Sequence, residues 1–383
     1  MKKLLISALV ASLLAACASD NVEPPAKLTD ISKPQLEVTE LWDRGITGNN
    51  VVQRVNLAPA SDGTNVYVAS YTGSVYALSL KDGSIVWRIK MLRVKLDAGP
   101  AVKDGIVVVA SSGGLVVALD PATGKTLWKS DLEGEILGVP AIGSGTVVVR
   151  TTDGRLVALA ADTGKQRWKT AYDVPRLSVR GVCNPVILDR VVLEGLDDGR
   201  LVAVNLDDGS QLWQATVGTA KGSNELARLT DVDGVLAVSG DDVYAVAYRG
   251  QTVAITRSNG QIFWSRDLGS YTGVSADDEN VYVSDLDGTV WALDKSNGAP
   301  AWNQAVLHAR AVTVPVPFGD SVVVGDIQGY IHFLSKKDGS LMARDRLGSD
   351  PITAPPLVVG DVLVIQSNDG KIGAFTAQPK AGS

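Results

Sequence analysis

The 383-residue sequence contains little of what catalytic and metal-binding proteins commonly use. It has two cysteines, so no disulfide framework holds the fold, and Cys183 is predicted to be a small buried hydrophobe. Its two histidines, His308 and His332, are expected to be partly exposed strand or loop residues and not a general base or metal ligands. No phosphate-cradling loop or nucleophile elbow is present. The sequence therefore predicts no catalytic, cofactor-binding or metal site.

The sequence also lacks a basic surplus, helical periodicity and a long apolar run in its body. The formal net charge is −6 and the isoelectric point is about 5.1, which offers no basic field for nucleic acid. Beyond the first 16 residues no segment is long and apolar enough to span a bilayer. These absences favour an all-β fold with no nucleic-acid partner.

The chain contains one sequence phrase in eight copies. In the clearest copy, residues 114–128, an apolar strand leads into a turn with Asp120 and Gly124, and a return strand ends in a tryptophan. Successive copies begin 38 to 51 residues apart, which is the period of propeller blades with four strands each. The opening glycines are Gly73, Gly114, Gly154, Gly199, Gly250, Gly288, Gly329 and Gly370. The sequence therefore predicts an eight-bladed β-propeller.

A tryptophan follows six of the opening glycines by fourteen residues. These residues are Trp87, Trp128, Trp168, Trp213, Trp264 and Trp302. The seventh copy has Ala343 at this position, and the eighth copy would need a residue beyond Ser383. Trp42 lies in a strand-like segment with no hairpin before it, so we predict that this N-terminal strand completes the eighth blade and closes the ring. Seven independent blades with frayed ends is the alternative, and the matching deficits at the two termini argue against it.

The N-terminus has the pattern of a targeting segment. Residues 1–16 contain two lysines followed by an apolar run, as in a signal peptide. The cysteine that follows, Cys17, completes a stretch that resembles the bacterial lipobox, and the resemblance implies that this cysteine is lipidated. Ordinary signal cleavage after Ala18 is the alternative. Several acyl chains such as palmitate would anchor the protein stably, and Ala18 in place of aspartate implies delivery to the outer membrane.

These features divide the chain into three parts. Residues 1–16 are the predicted lipoprotein signal peptide, and residues 17–34 are the lipidated cysteine with a polar, proline-bearing tether that we expect to be flexible. Residues 35–383 are predicted to form the propeller as a single domain.

Two intervals between copies are longer than the others, at 45 and 51 residues. The surplus falls in residues 172–181 and between residues 219 and 242, one blade apart, so the two connections should be neighbours. Loops of surplus length are where repeat proteins concentrate function.

Within these connections, Leu177 and Val179 point the same way on an extended segment. Ringed by Arg180, Asp231 and Asp233, they would form a small apolar interface core with a polar rim. A packing role fits the same residues, with both apolar side chains facing the propeller interior and the arginine paired with one of the aspartates.

The repeated phrase resembles a known motif. The sequence Ala-Leu-Asp-x-x-Thr-Gly-Lys-x-x-Trp at residues 118–128 is similar to the tryptophan-docking repeat of quinoprotein dehydrogenases, eight-bladed propellers that bind pyrroloquinoline quinone (PQQ). In that family the tryptophan packs between blades and the motif is structural. Those enzymes share an adjacent pair of cysteines, which this shorter chain does not have. The chain therefore looks like a non-enzymatic relative of this repeat family, and a periplasmic PQQ-dependent dehydrogenase is the alternative function.

A closer resemblance, over almost the whole chain, is to the BamB family, the lipoprotein propellers of the outer-membrane β-barrel assembly (BAM) machinery. It includes the lipobox, the eight repeats, the closing strand and Ala343. Residues 175–181 resemble the family segment P-S-L-S-[LV]-R-G, with Arg176 in place of the serine, and residues 228–233 resemble R-L-[ST]-D-V-D.

The resemblance implies a function and a set of contacts. In that family the two segments dock on BamA, a barrel-bearing protein with periplasmic POTRA domains. The resemblance implies that the chain is a non-catalytic scaffold of the BAM complex, anchored by lipid in the outer membrane and facing the periplasm, which supports insertion of β-barrel proteins. Unfolded outer-membrane proteins are a further candidate partner. The implied BamA contacts are Leu177, Val179, Arg180, Asp231 and Asp233.

Overall fold

The computed structural model describes residues 23–46, 57–179 and 183–380. These residues form eight antiparallel sheets of four strands each, which we number as blades one to eight. No helix within these three ranges is long and apolar enough to cross a membrane.

The first half of the ring is built from consecutive strands. Strand β1 (Leu36–Gly45) precedes blade one, which contains β2 (Ala60–Ser61), β3 (Asn65–Ala69), β4 (Ser74–Ser79) and β5 (Ile85–Lys90). Blade two contains β6 (Leu96–Lys103), β7 (Ile106–Ser111), β8 (Leu115–Leu119) and β9 (Thr126–Asp131). Blade three contains β10 (Ala141–Gly143), β11 (Thr146–Arg150), β12 (Arg155–Ala160) and β13 (Gln166–Ala171). Blade four contains β14 (Val186–Leu188), β15 (Val191–Gly195), β16 (Arg200–Asn205) and β17 (Gln211–Thr216).

The second half repeats the arrangement up to the last strand. Blade five contains β18 (Ala237–Ser239), β19 (Asp242–Val246), β20 (Thr252–Thr256) and β21 (Ile262–Arg266). Blade six contains β22 (Val274–Ala276), β23 (Asn280–Ser284), β24 (Val290–Asp294) and β25 (Pro300–Gln304). Blade seven contains β26 (Val316–Phe318), β27 (Ser321–Gly325), β28 (Tyr330–Ser335) and β29 (Leu341–Arg346). Blade eight contains β30 (Leu357–Val359), β31 (Val362–Gln366), β32 (Lys371–Pro379) and the N-terminal strand β1.

The ring is closed by the N-terminal strand. Strand β1 pairs antiparallel with β32, from Leu36 opposite Pro379 to Gly45 opposite Lys371. The predicted eight-bladed propeller and its closing strand are therefore confirmed, and the alternative of seven blades with frayed ends is wrong. Closure removes the two strand edges that an open array of sheets would expose.

Burial follows the position of a strand in its blade. Every residue of Thr146–Arg150, a second strand, is buried, because neighbouring blades cover both faces of the sheet. In the outermost strand Gln166–Ala171 only Trp168 is buried, and its neighbours in sequence are exposed. The apolar core therefore lies between the blades, and one tryptophan extends it to the rim.

Each of these tryptophans docks on the turn of the following blade. Trp87 Nε1 donates a hydrogen bond to the Pro121 carbonyl oxygen at 2.7 Å. Gly124 in the same turn has a φ of +69°, and a Cβ added there would lie 2.7 Å from Trp87 Cε3. The turn glycine is therefore required both by the backbone conformation and by the ring stacked against it.

The docking contact occurs seven times around the ring, with Nε1–oxygen distances of 2.7 to 2.9 Å. The donors and acceptors are Trp42 and Leu80, Trp87 and Pro121, Trp128 and Ala161, Trp168 and Leu206, Trp213 and Arg257, Trp264 and Lys295, and Trp302 and Lys336. Trp42, from the N-terminal strand, thus ties blade eight to blade one.

The structure explains why the seventh copy has alanine instead of tryptophan. A tryptophan at Ala343 would have to dock on the turn between the third and fourth strands of blade eight. Those strands, β32 and β1, are at opposite ends of the chain, so no turn joins them. Ala343 instead lies buried in a cluster with Leu36 and Phe333.

The segment before the first strand is docked on blade seven. Arg310 Nη1 donates to the Ala26 carbonyl oxygen at 2.8 Å, and Arg344 Nη1 donates to the Thr29 carbonyl oxygen at 3.0 Å. Leu28 packs against the apolar cluster between blades six and seven. The expected flexible tether is therefore in contact with the propeller over its second half.

The surroundings of the two histidines and of the one cysteine within the described residues are those of structural residues. His332 is fully buried, and its Nε2 lies 2.8 Å from Asp326 Oδ2. Burial lowers the pKa of His332, and Arg344 donates to its Nδ1 at 3.3 Å. The expectation of partial exposure is wrong for His332, because β28 is a third strand covered on both faces. The side chain of His308 is 40% exposed, and Cys183 is buried as predicted.

Replacing a docked tryptophan tests the contact between blades. Trp168→Ala should lower the free energy of unfolding by about 3 to 5 kcal/mol, because the buried ring and its hydrogen bond are both lost. Trp168→Phe keeps an aromatic ring and should cost about 1 kcal/mol for the hydrogen bond. Urea denaturation followed by circular dichroism measures both differences.

Ala343→Trp is the matched variant at the one blade without a turn to dock on. We expect it to destabilise the protein by about 1 to 3 kcal/mol, since the added ring overpacks a buried site. A gain in stability from Ala343→Trp would show that the missing turn is not what excludes tryptophan there.

Candidate functional site

The two long connections lie on the same end of the propeller, which we call the loop face. Each joins the outermost strand of one blade to the first strand of the next, and each begins at the turn of an opening glycine. Tyr172 N donates to the Gly154 carbonyl oxygen at 2.9 Å, and Val217 N donates to the Gly199 carbonyl oxygen at 2.9 Å. The connections after blades three and four are therefore adjacent on this face.

A direct hydrogen bond joins the two sequence motifs. Val179 N, in the first connection, donates to Asp231 Oδ1, in the second, at 2.9 Å. The residues are 52 positions apart in the chain, and the bond joins the connection before blade four to the connection after it. The predicted proximity of the two connections is thus observed.

The two apolar residues of the first motif differ in their exposure. Leu177 is 41% exposed, so its side chain does not lie in the propeller interior, and Val179 is partly buried. Arg176, the residue that departs from the family pattern, is exposed beside Leu177. The predicted contact Arg180 lies outside the described residues. The packing alternative therefore does not hold for Leu177.

The second motif is anchored from below. Asp231 is 1% exposed, and its carbonyl oxygen accepts a hydrogen bond from Tyr248 N at 2.8 Å. The next residue, Val232, donates through its N–H to the Leu196 carbonyl oxygen at 3.1 Å. Asp231 was expected on the rim of an interface, but it is buried. Hydrogen bonds to blades four and five hold its backbone on either side. Its carboxylate supports the first motif from beneath.

An exposed turn in the second connection had no assigned role in the sequence. Leu226–Arg228 forms a short 3-10 helix with no buried residue, and Leu226 is 65% exposed. Asn224 Oδ1 accepts a hydrogen bond from Ala227 N at 2.8 Å, and Arg249 donates to the Leu226 carbonyl oxygen at 3.1 Å. The available signal was a leucine that directly follows the polar run of residues 221–225.

Beneath the loop face lies a group of four acidic residues, which we call the acidic cluster: Glu194, Asp197, Asp231 and Asp233. Glu194, Asp197 and Asp231 are buried, and Asp233 is partly buried. Arg150 Nη2 binds Asp197 Oδ2 at 2.8 Å, and both side chains are almost fully buried. The three aspartates each present a carboxylate oxygen within 4.8 Å of the others, an arrangement that could hold a metal ion.

Burial shifts the proton affinities of the acidic cluster upwards. Loss of solvation raises the pKa of Asp231 to about 6, and it raises the pKa of Asp197 while Arg150 opposes the shift. The pKa of Glu194 is raised well above its usual range, mainly by burial and further by the charges of Asp197 and Asp233. The carboxylates are therefore costly to keep ionised in the folded protein.

Comparisons of the sequence and of the structure with known proteins point to the same family. The family model described as outer membrane protein assembly factor BamB matches residues 72–304. The BamB of Xanthomonas campestris pv. campestris is 39% identical over 395 residues, which cover 98% of this chain and 97% of that protein. The crystal structure of BamB from Moraxella catarrhalis superposes with a TM-score of 0.82 at 28% identity, covering 89% of this chain and 100% of that chain.

A more distant likeness concerns the fold alone. Quinohemoprotein alcohol dehydrogenase ADHIIG from Pseudomonas putida HK5 has a TM-score of 0.70 at 14% identity, covering 90% of this chain and 77% of that chain. At this identity only the propeller architecture is shared.

The raised pKa of Asp231 predicts a pH-dependent stability difference. The folded protein binds this proton more tightly than the unfolded chain, so the cost of ionisation appears as pH rises from about 4 through 6 and is fully present above 6. Asp231→Asn keeps an acceptor for Val179 N but carries no charge. It should exceed the wild type in free energy of unfolding by about 2 kcal/mol at pH 7.5, and the difference should vanish near pH 4.

Chemical denaturation in chelator-containing buffers at both pH values measures this difference. Asp82→Asn is the control, because hydrogen bonds from Ser84 lower the pKa of this exposed turn aspartate to about 2. Loss of the Asp82 carboxylate should destabilise the protein at neutral pH. An Asp231→Asn effect that is the same at both pH values would contradict the assigned cause.

Proposed function

Since the chain belongs to the BamB family of outer membrane protein assembly factors, we propose that it is a non-catalytic scaffold lipoprotein that binds BamA and supports insertion of β-barrel proteins into the outer membrane. The relatives that match nearly the whole chain are named as assembly factors, and the dehydrogenase likeness is one of fold alone. The scaffold function is thus favoured over the dehydrogenase alternative.

The observation that carries the proposal is the hydrogen bond between Val179 and Asp231. It holds the two family-like motifs against each other on the loop face, and Leu177 of the first motif and Arg228 of the second are both exposed. Neither motif is needed to build the repeat, because the other blades are joined by shorter connections without them. Their ordered proximity supports a binding role.

Leu177 is the proposed apolar centre of the contact with BamA. At 41% exposure it still offers apolar surface to a partner, and complete burial of a leucine side chain contributes about 1.5 to 3 kcal/mol. Arg176 beside it and Arg180 three residues on would supply the charged rim that surrounds such a centre. Asp231 and Asp233 would act by supporting the first motif.

The proposal places the protein on the periplasmic side of the outer membrane, held by acyl chains on Cys17. Glu23 is the first described residue of the segment docked on blade seven, six positions after that cysteine. Six residues span at most about 20 Å, so the propeller would be held close to the bilayer.

Negative charges introduced at the proposed centre of the contact test whether BamA is the partner. Leu177→Glu combined with Arg180→Glu should leave the propeller folded, because Leu177 is 41% exposed on the loop face, and should abolish copurification of BamA from detergent-solubilised envelopes. Immunoblotting of the affinity-purified protein reads out the loss.

Leu127→Glu is the matched control, since Leu127 is 49% exposed on the outermost strand of blade two, away from both connections. It should retain BamA. Undiminished copurification with the double variant, at wild-type folding by circular dichroism, would exclude this surface as the contact.

Replacing Cys17 tests the anchor separately. Cys17→Ala should move the protein from the membrane fraction to the soluble periplasmic fraction, because no acyl chain can be attached to alanine. Fractionation and metabolic labelling with palmitate measure the change. Labelled, membrane-bound Cys17→Ala protein would contradict the anchor.

A further inference from the structure

A turn on the loop face, in the connection between blades one and two, presents an apolar side chain to solvent. We call residues 90–95 the basic tip. Leu92 is 80% exposed, which is the largest exposure of any large apolar side chain in the described ranges. Arg93 beside it is exposed and has a φ of +63°, a left-handed conformation that is uncommon for a residue with a side chain. Met91 N donates to the Gly73 carbonyl oxygen at 2.8 Å, so the leucine protrudes from a fixed base.

The charge of the basic tip is entirely positive. Three cations and no acidic residue occupy its six positions, although the formal net charge of the chain is −6. The cations are Lys90, Arg93 and Lys95. Lys90 Nζ donates to the Thr72 carbonyl oxygen at 2.6 Å, and Lys95 Nζ lies 5.4 Å from the centre of the Tyr71 ring. Segments that bind the surface of an anionic bilayer combine the same two features, since the apolar side chain enters the interface and the cations meet phosphate groups.

The segment before β1 enters the described structure on the same face. Glu23 Oε1 lies 3.1 Å from His308 Nε2, and Ala26 N donates to the His308 carbonyl oxygen at 3.0 Å. His308 lies in the connection between blades six and seven, which joins an outermost strand to a first strand and therefore belongs to the loop face. Glu23 follows Cys17 by six positions, which span at most about 20 Å. If Cys17 is acylated as proposed, the bilayer is close to this face.

The basic tip and the entry of the tether lie on one side of the ring. Along the shorter path between their two connections lie blades seven, eight and one, so the centre of this arc is blade eight. The motifs proposed to contact BamA lie in the connections before and after blade four, which is opposite blade eight in a closed ring of eight. A bilayer on the side of blade eight therefore leaves the motifs accessible to a protein partner.

The end of the propeller opposite the loop face has the wrong charge for an anionic surface. Seven of its eight turns between a first and a second strand contain an exposed aspartate. These residues are Asp62, Asp104, Asp189, Asp241, Asp278, Asp320 and Asp361. Carboxylates are repelled by the phosphate groups of lipids, so this end is expected to face away from the bilayer.

We propose that the basic tip is a membrane contact, in which Leu92 inserts into the interface of an anionic phospholipid bilayer and the three cations bind lipid phosphate groups. One leucine and three cations give weak binding by themselves, half complete at about 10⁻⁴ to 10⁻³ M accessible lipid. A short tether on the same face raises the effective concentration of lipid at the tip. The contact therefore adds a second point of attachment, and two points fix the orientation of the propeller that one anchor leaves free.

Cosedimentation with lipid vesicles tests the basic tip without any acyl chain. The Cys17→Ala protein from the soluble periplasmic fraction is mixed with anionic vesicles of phosphatidylethanolamine and phosphatidylglycerol, or with neutral vesicles of phosphatidylcholine. We expect it to bind the anionic vesicles and not the neutral ones. Added Arg93→Gln and Lys95→Gln should together weaken binding about 25-fold, since each cation near an anionic surface contributes a factor of about five. Added Leu92→Ser should weaken it about tenfold or more.

Lys125→Gln is the matched control, because it removes an exposed cation at the opposite end of blade two, and it should bind as tightly as the parent protein. Raising the salt concentration from about 0.1 to 0.5 M should release the parent protein, a result that requires no variant at the tip. Circular dichroism verifies that each variant is folded.

Three results would overturn the proposal. The first is no sedimentation of the parent protein with anionic vesicles at millimolar lipid, and the second is binding that the tip variants leave unchanged. The third is loss of BamA copurification by the tip variants at unchanged vesicle binding, which would assign the tip to a protein contact. No BamA and no acyl chain is present with the vesicles, so failure there leaves the proposed partner contact and the proposed anchor intact.

Discussion

The contact between a tryptophan and the turn of the next blade is the constraint on which the rest of the propeller depends. Each ring covers a glycine that could not carry a side chain, and each indole N–H satisfies a carbonyl oxygen of the same turn. A blade is thereby fixed in both distance and angle to its neighbour. The rest of the blade, with its two middle strands buried on both faces, is packed within a spacing that this contact sets.

The fold was predictable from the sequence because this contact leaves a mark at a fixed interval. Glycine and tryptophan fourteen residues apart reveal the hairpin, and the number of copies reveals the number of blades. The exceptions were informative as well. Ala343 and the unmatched Trp42 both follow from the composition of blade eight, whose third and fourth strands come from opposite ends of the chain. The docked segment before β1 was missed, because Arg310 and Arg344 hold it through its backbone carbonyl groups, which composition does not reveal.

The candidate site was predictable only in part. The surplus length of two connections correctly indicated where they meet, but the spacing of residues could not show which side chains face outwards. Asp231 is buried because hydrogen bonds to Tyr248 and Val179 draw it beneath the loops, and both partners are distant in sequence. The acidic cluster was missed for the same reason. Glu194 looks like an ordinary strand residue until the fold brings beside it the carboxylates of a turn in its own blade and of the second connection.

The closure of the ring by β1 also determines the order in which the molecule can be completed. Leu36 and Pro379 pair although they lie near opposite ends of the chain, so blade eight cannot form before the last strand is available. The other seven blades can assemble from local hairpins. Until β32 is available, the edge of β1 remains unpaired. A chain that still lacks its last strand therefore exposes the edge of its first strand to aggregation, and pairing of the final residues removes that exposed edge.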